Sequence, residues 1–178
     1  MNNKYPKIIF LGCLAHNLNL LVGDIIKLDW VQNILLNAIL IVKFFKRHTI
    51  PAAILKKYQE INYGSKFKSL KLPVETRWGS SVKCLDSIKS NQLAISLTTT
   101  ELINHPTSSI DLEIINIVQN NEFWNEVQNL LVILKILVSG ITIFEGNTSY
   151  LSQFYKWYEK LETNESKYKF IKVKEYQI

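Results

Sequence analysis

From residue 16 onward, most of the chain repeats apolar residues every three or four positions, the spacing that lines one face of an α-helix. Leu18, Leu21, Val22, Ile25 and Ile26 mark the first such stripe, within residues 16–28, and a second runs over 30–46. A third helix is expected over 52–60, with Thr49 as a candidate cap and Pro51 in the first turn, where no intrahelical N–H is needed. Helical spacing returns over 80–90 through Val82, Leu85 and Ile88 and continues through Leu93, Ile95 and Leu97. Residues 111–120 predict a short helix. Residues 123–145 predict a long one, apolar on nearly all sides, so it belongs inside a bundle. A last helix is expected over 150–162, capped by Thr148-Ser149, with Leu151, Phe154, Tyr155, Trp157, Tyr158 and Leu161 as an aromatic-rich stripe packing into the core.

The interruptions are as informative as the stripes. Ile8-Ile9-Phe10-Leu11 is a short apolar run ended by Gly12, which reads as one buried strand. Between 62 and 76 the helical pattern dissolves into Tyr63-Gly64-Ser65 and the alternating Lys66-Phe67-Lys68-Ser69-Leu70-Lys71-Leu72, closed by Pro73. This stretch predicts a loop with room for a short edge strand. Asn104-His105-Pro106-Thr107-Ser108-Ser109 is the clearest boundary, because proline and a polar cluster cannot continue a helix. It divides residues 1–103 from 104–178. Residues from 166 onward mix Lys with single apolar residues and read as a frayed or cut edge. The expected fold class is mainly α, with one N-terminal strand.

Charge adds a direction to this picture. The net charge of +6 conceals a strong asymmetry. Residues 40–90 hold eleven Lys and Arg against Glu60, Glu75 and Asp86, whereas 91–155 hold only Lys135 against six acidic residues. A phosphate backbone is the commonest partner of such a basic segment, and a solvated basic face is the competing reading. Two cysteines, Cys13 and Cys84, cannot make a disulfide framework, so a reducing compartment is expected. The apolar run after Lys4 and Lys7 breaks at His16-Asn17, too early for a secretory leader. Lys43 and Lys135 cut the longest apolar runs below membrane-spanning length, so an intracellular chain with no membrane partner is expected.

Few residues suggest chemistry. Cys13 and His16 have the spacing of half a zinc site, but His48, Cys84 and His105 are singletons that supply no second half. The favoured reading is a buried Cys and a hydrogen-bonded His fixing a strand-to-helix turn. A thiolate pair is the remote alternative, since no orienting carboxylate is adjacent. There is no phosphate-cradling glycine loop, no Gly-x-Ser-x-Gly elbow and no paired-carboxylate motif, and no cofactor is expected. Arg77-Trp78 stands out within the basic segment, because an indole can stack on an exposed base while a guanidinium holds phosphate. The bland alternative is a pair anchoring a loop to the core.

Taken in order, Cys13-Leu14-Ala15-His16-Asn17-Leu18-Asn19-Leu20, Asp24, Phe44-Phe45-Lys46 and Thr76-Arg77-Trp78-Gly79-Ser80 resemble the middle of hAT-family DNA transposases. Phe123-Trp124 and Ile143-Phe144-Glu145-Gly146 resemble that family's helical insertion, and the resemblance covers roughly residues 8–162. It implies a partial ribonuclease-H-like core over 1–103 running into a helical insertion over 104–178. It also implies a nuclear protein acting on transposon ends. The family's three metal-binding carboxylates lie before the Cys-x2-His and after the insertion, and no position here matches them, so a catalytically incomplete chain is expected. By the same resemblance Trp78 would stabilise a flipped base with Arg77 beside it, and Cys13 and His16 would fix a turn; the charge of the basic segment adds Lys66 and Lys68 as DNA contacts. Two departures mark divergence: the acidic residue usual shortly before Thr-Arg-Trp is replaced around Pro73-Val74, and the long insertion helix lacks its proline. The alternative is a non-catalytic helical module for protein interaction or homo-oligomer formation.

Overall fold

Nearly every apolar stripe becomes a helix in the computed structural model of the chain, which describes residues 13–74, 78–106, 110–146 and 151–163. The helices are α1 (Leu14–Lys27), α2 (Asp29–Arg47), α3 (Thr49–Tyr63), α4 (Trp78–Ser90), α5 (Gln92–Ile103), α6 (Leu112–Gln119), α7 (Asn121–Glu145) and α8 (Leu151–Glu162). The fold is mainly α, and no strand occurs among the described residues. The strand expected at 8–11 and the cap expected at Thr148-Ser149 lie outside them.

Helices meet at single-residue joints. Leu28 ends α1 and precedes α2, which leaves at 78° to it. His48 does the same between α2 and α3, so Thr49 is the first residue of α3 rather than its cap. The imidazole is engaged with the helix behind it, Nδ1 lying 2.9 Å from the Phe44 carbonyl, and gives α3 no side-chain cap. Pro51 sits in the first turn, as its missing N–H requires.

The helical spacing expected over 80–90 and on through Leu97 is divided between two helices at Asn91. The Asn91 amide donates to the Ser87 carbonyl at 2.8 Å and also to the Lys68 carbonyl, so its side chain competes with the helical backbone and ends α4. At the start of α7, Asn120 accepts from the N–H groups of Glu122 and Phe123, an N-cap bond that satisfies donors otherwise left open.

α7 is the axis of the molecule. It packs on α1 and α4 most extensively and also meets α2, α6 and α8, while α3 packs on α5 and α2. Leu130, Ile133 and Leu134 of α7 are fully enclosed in one core with Val22, Ile41, Leu85 and Ile88. The polar stretch at 104–109 therefore joins helices that contribute to the same core. α7 has 25 residues, and an 18-residue window within it has a mean hydropathy of 2.0, long and apolar enough to cross a membrane despite Lys135. Its neighbours bury 44% of that window, and Lys135 pairs with Asp86 of α4.

The aromatic stripe of α8 divides. Trp157 is buried at 5% exposure, whereas Tyr155 and Tyr158 are 60% and 45% exposed, so the expected burial of the whole stripe is not met. The indole lies over Gly140 of α7, where an added Cβ would come within 2.6 Å of its ring. Its Nε1 donates to the Ile136 carbonyl at 2.9 Å, and its ring meets Phe144 edge-on. Glycine at 140 is thus required by close approach and not by backbone conformation.

Candidate nucleic-acid interface

The basic segment after α3 is a loop, as expected, and no edge strand occurs in it among the described residues. A short 3-10 turn, Gly64–Lys66, leads into residues 67–74, which run extended along α4. Gly64 has φ +57°, a conformation that favours glycine, and this turns the chain out of α3. The backbone polar groups of 67–74 then meet side chains of α4 and the α4–α5 joint instead of another strand. The Val74 N–H donates to Ser80 Oγ at 2.6 Å, the Lys71 N–H donates to Ser87 Oγ at 2.9 Å, and the Lys68 carbonyl accepts from Asn91.

This pairing has a simple geometric basis. Ser80, Ser87 and Asn91 are separated by seven and four residues and share one helix face. Three extended residues and seven helical ones both span about 10 Å, so 71 and 74 fall opposite 87 and 80 with the chains antiparallel. Leu70 is buried between the clamps and anchors the segment to the core. The clamps are themselves satisfied: Ser87 Oγ donates to the Cys84 carbonyl, and Asn91 Oδ1 accepts from Gln59 of α3 at 2.9 Å. Gln59, Ser87 and Asn91 are all buried, and each polar group without its partner would be costly there.

A segment held in this way presents lysines from defined positions. On its α2–α3 side lies a shallow depression of about 230 Å³, bordered by Lys46, Leu55, Phe67, Leu70 and Lys71. On its α4 side lies another of about 270 Å³, bordered by Lys68, Ser69, Lys71, Lys83, Asp86 and Ser87. Lys71 borders both, so the two form one continuous basic surface. Lys46, Lys71 and Lys83 are exposed and form no ion pair among the described residues.

Asp86 is the acidic exception. Its carboxylate accepts from Lys68 at 2.6 Å and from Lys135 of α7. Partial burial pushes its carboxyl upward, but the hydrogen bonds and charges of Lys135 and Lys68 outweigh that and hold it below its ordinary value. Glu101 plays a similar part at the far end of α3, accepting from Tyr58 at 2.8 Å and Lys57 at 3.1 Å, which holds its carboxyl low.

Of the residues singled out from sequence, Lys66 is exposed at the end of the 3-10 turn and Lys68 is paired with Asp86. Arg77 lies outside the described residues, and Trp78 is the first residue of α4. The expectation of a buried Cys13 and a hydrogen-bonded His16 is corrected. α1 begins directly after Cys13, which is exposed and makes no side-chain cap. His16 is exposed and makes no hydrogen bond among the described residues. The buried thiol is Cys84, pushed up to about 12 by desolvation, which leaves it protonated and unreactive at neutral pH. Among the described residues no three His, Cys, Asp or Glu side chains gather as a metal site.

Lys71, Lys83 and Asp86 belong to the surface but were not among the candidate site residues. The signal for them was the polar series Ser80, Ser87, Asn91 on a helix that otherwise reads as amphipathic. Neither a protein-family model, nor a curated protein, nor a solved structure matches the chain.

Proposed function

We propose that this chain is a catalytically inactive, hAT-transposase-like nuclear protein that binds DNA through the basic surface built on residues 46–83. In this reading residues 1–103 derive from a ribonuclease-H-like core and 104–178 from a helical insertion. The observation that carries it is Lys46, Lys71 and Lys83 standing around a rigidly clamped segment with no acidic partner among the described residues. The clamps fix the backbone that carries Lys71, and Lys46 and Lys83 stand on helices, so no segment has to be ordered for them to meet phosphates, and counterion release drives the association. The Thr76-Arg77-Trp78 motif follows this surface directly in sequence and supplies the base-stacking function.

Fluorescence anisotropy with nicked and hairpin DNA over a salt series tests this. Replacing Lys46, Lys71 and Lys83 together by Ala is expected to weaken binding at least about tenfold and to lower the salt slope by roughly three. Trp78→Ala is expected to weaken binding to nicked and hairpin DNA more than to intact duplex. Equal binding by wild type and all variants would overturn the reading.

The second reading, a helical interaction or oligomerisation module, is favoured by the exposure of Tyr155 and Tyr158 on α8. It predicts a change in molecular size without DNA and none on adding it.

A further inference from the structure

The α4-side depression has an acidic group set into a ring of lysines. Lys68, Lys71 and Lys83 border it together with Asp86, and Asp86 also holds Lys135. Lys71 and Lys83 have no ion-pair partner among the described residues, and Asp86 is the one carboxylate among the described residues that border the cluster. Its two partners differ in where they sit. Lys135 belongs to α7 and does not border the depression, whereas Lys68 belongs to the clamped surface segment and borders it with Lys71 and Lys83; the two side chains are similarly exposed, 53% and 58%. An ion pair with so exposed a partner is worth little, so exchanging Lys68 from Asp86 to another anion is nearly neutral in free energy. The Lys68 backbone would not move in that exchange, because Asn91 holds its carbonyl and Ser87 holds the Lys71 N–H.

We propose that this depression is a phosphate subsite in which Asp86 is a built-in counter-ion. An arriving phosphate group takes Lys68 together with Lys71 and Lys83, while Asp86 keeps Lys135. The ligand class is a phosphate-bearing anion, either a nucleic-acid phosphodiester or a free polyphosphate. The carboxylate opposes weakly charged anions and yields only to a group that engages all three lysines, so it sets a threshold of charge density. The inference rests on the nucleic-acid reading for the source of the phosphate, and the site itself rests on the local geometry.

The test uses the full chain, inorganic tripolyphosphate by titration calorimetry and a duplex oligonucleotide by anisotropy, with circular dichroism to check folding. Asp86→Asn is expected to tighten tripolyphosphate binding about two- to fivefold, the size of one exposed ion pair. Glu113→Gln on α6 makes the same change in net charge away from the depression and is expected to leave binding within error. Lys71→Ala with Lys83→Ala is expected to abolish it. Equal tightening by Asp86→Asn and Glu113→Gln would reduce Asp86 to a general charge effect and overturn the proposal. So would binding that survives loss of both lysines. If Asp86→Asn does not fold, Lys68→Ala serves in its place, and unchanged tripolyphosphate affinity in that variant overturns the proposal. Tripolyphosphate binding with this pattern, but no duplex binding by the wild type, would support the subsite while removing the nucleic-acid reading.

Discussion

Two parts of the molecule are docked onto the core helices by opposite means. Residues 67–74 are held on α4 by hydrogen bonds from Ser80, Ser87 and Asn91, with one leucine buried between them. Among the described residues, α8 is seated on α7 through Trp157, which lies over a glycine and donates its indole N–H to the Ile136 carbonyl. The polar clamp sets position residue by residue, because each bond has one donor and one acceptor at a fixed spacing. The apolar seat secures a helix by shape and burial, which specify no donor–acceptor pairing. A surface that must place charges at defined positions is therefore better built on the first kind of attachment.

The largest effect should come from the apolar seat. Trp157→Ala removes a buried indole and is expected to cost about 3 kcal/mol, seen as faster amide exchange across α8 while α4 keeps its protection. Unchanged exchange in α8 would mean that the tryptophan is not what holds it. Next in size is the polar clamp. Asn91→Ala leaves the Gln59 amide and the Lys68 carbonyl without their buried partner, an expected loss of about 2 kcal/mol. Its thermal melt should shift down with shift changes concentrated at 68–71, whereas perturbation spread evenly over the bundle would blur the contrast between the two attachments.

The smallest effect is electrostatic. Because the Asp86 carboxyl is held below its ordinary value near 3.8, its stabilisation is fully present above that pH and is lost as pH falls through the lower folded value. Wild type should thus exceed Asp86→Asn in stability by no more than about 1 kcal/mol at neutral pH. The difference should close below about pH 4 and shrink in high salt. A gap that persists in acid would assign the effect to packing.

Much of the fold was legible because helical spacing is a local property. The stripes of α1, α2, α4 and α7 each appear in the sequence, and the buried character of α7 follows from its apolar circumference. Helix ends were less legible. Asn91 ends α4 with its amide shared between the Ser87 carbonyl and a carbonyl 23 residues earlier, and no local window contains the second partner. The same limit hid how residues 67–74 are held. The alternation there suggested a loop or edge strand, yet its backbone is satisfied by serines and an asparagine of the following helix and joint. At the candidate site the basic segment was evident from charge alone, whereas the commitment of Lys68 to Asp86 and the shared border of Lys71 and Lys83 were not.

By itself, then, the sequence determined a mainly helical chain with its positive charge concentrated between 40 and 90, since periodicity and charge depend only on which residue follows which. Tertiary structure alone decided which of those lysines are neutralised and which face outward. Ion pairing depends on distances between residues far apart in the chain, such as Asp86 and Lys135, and those distances exist only once α4 and α7 have packed.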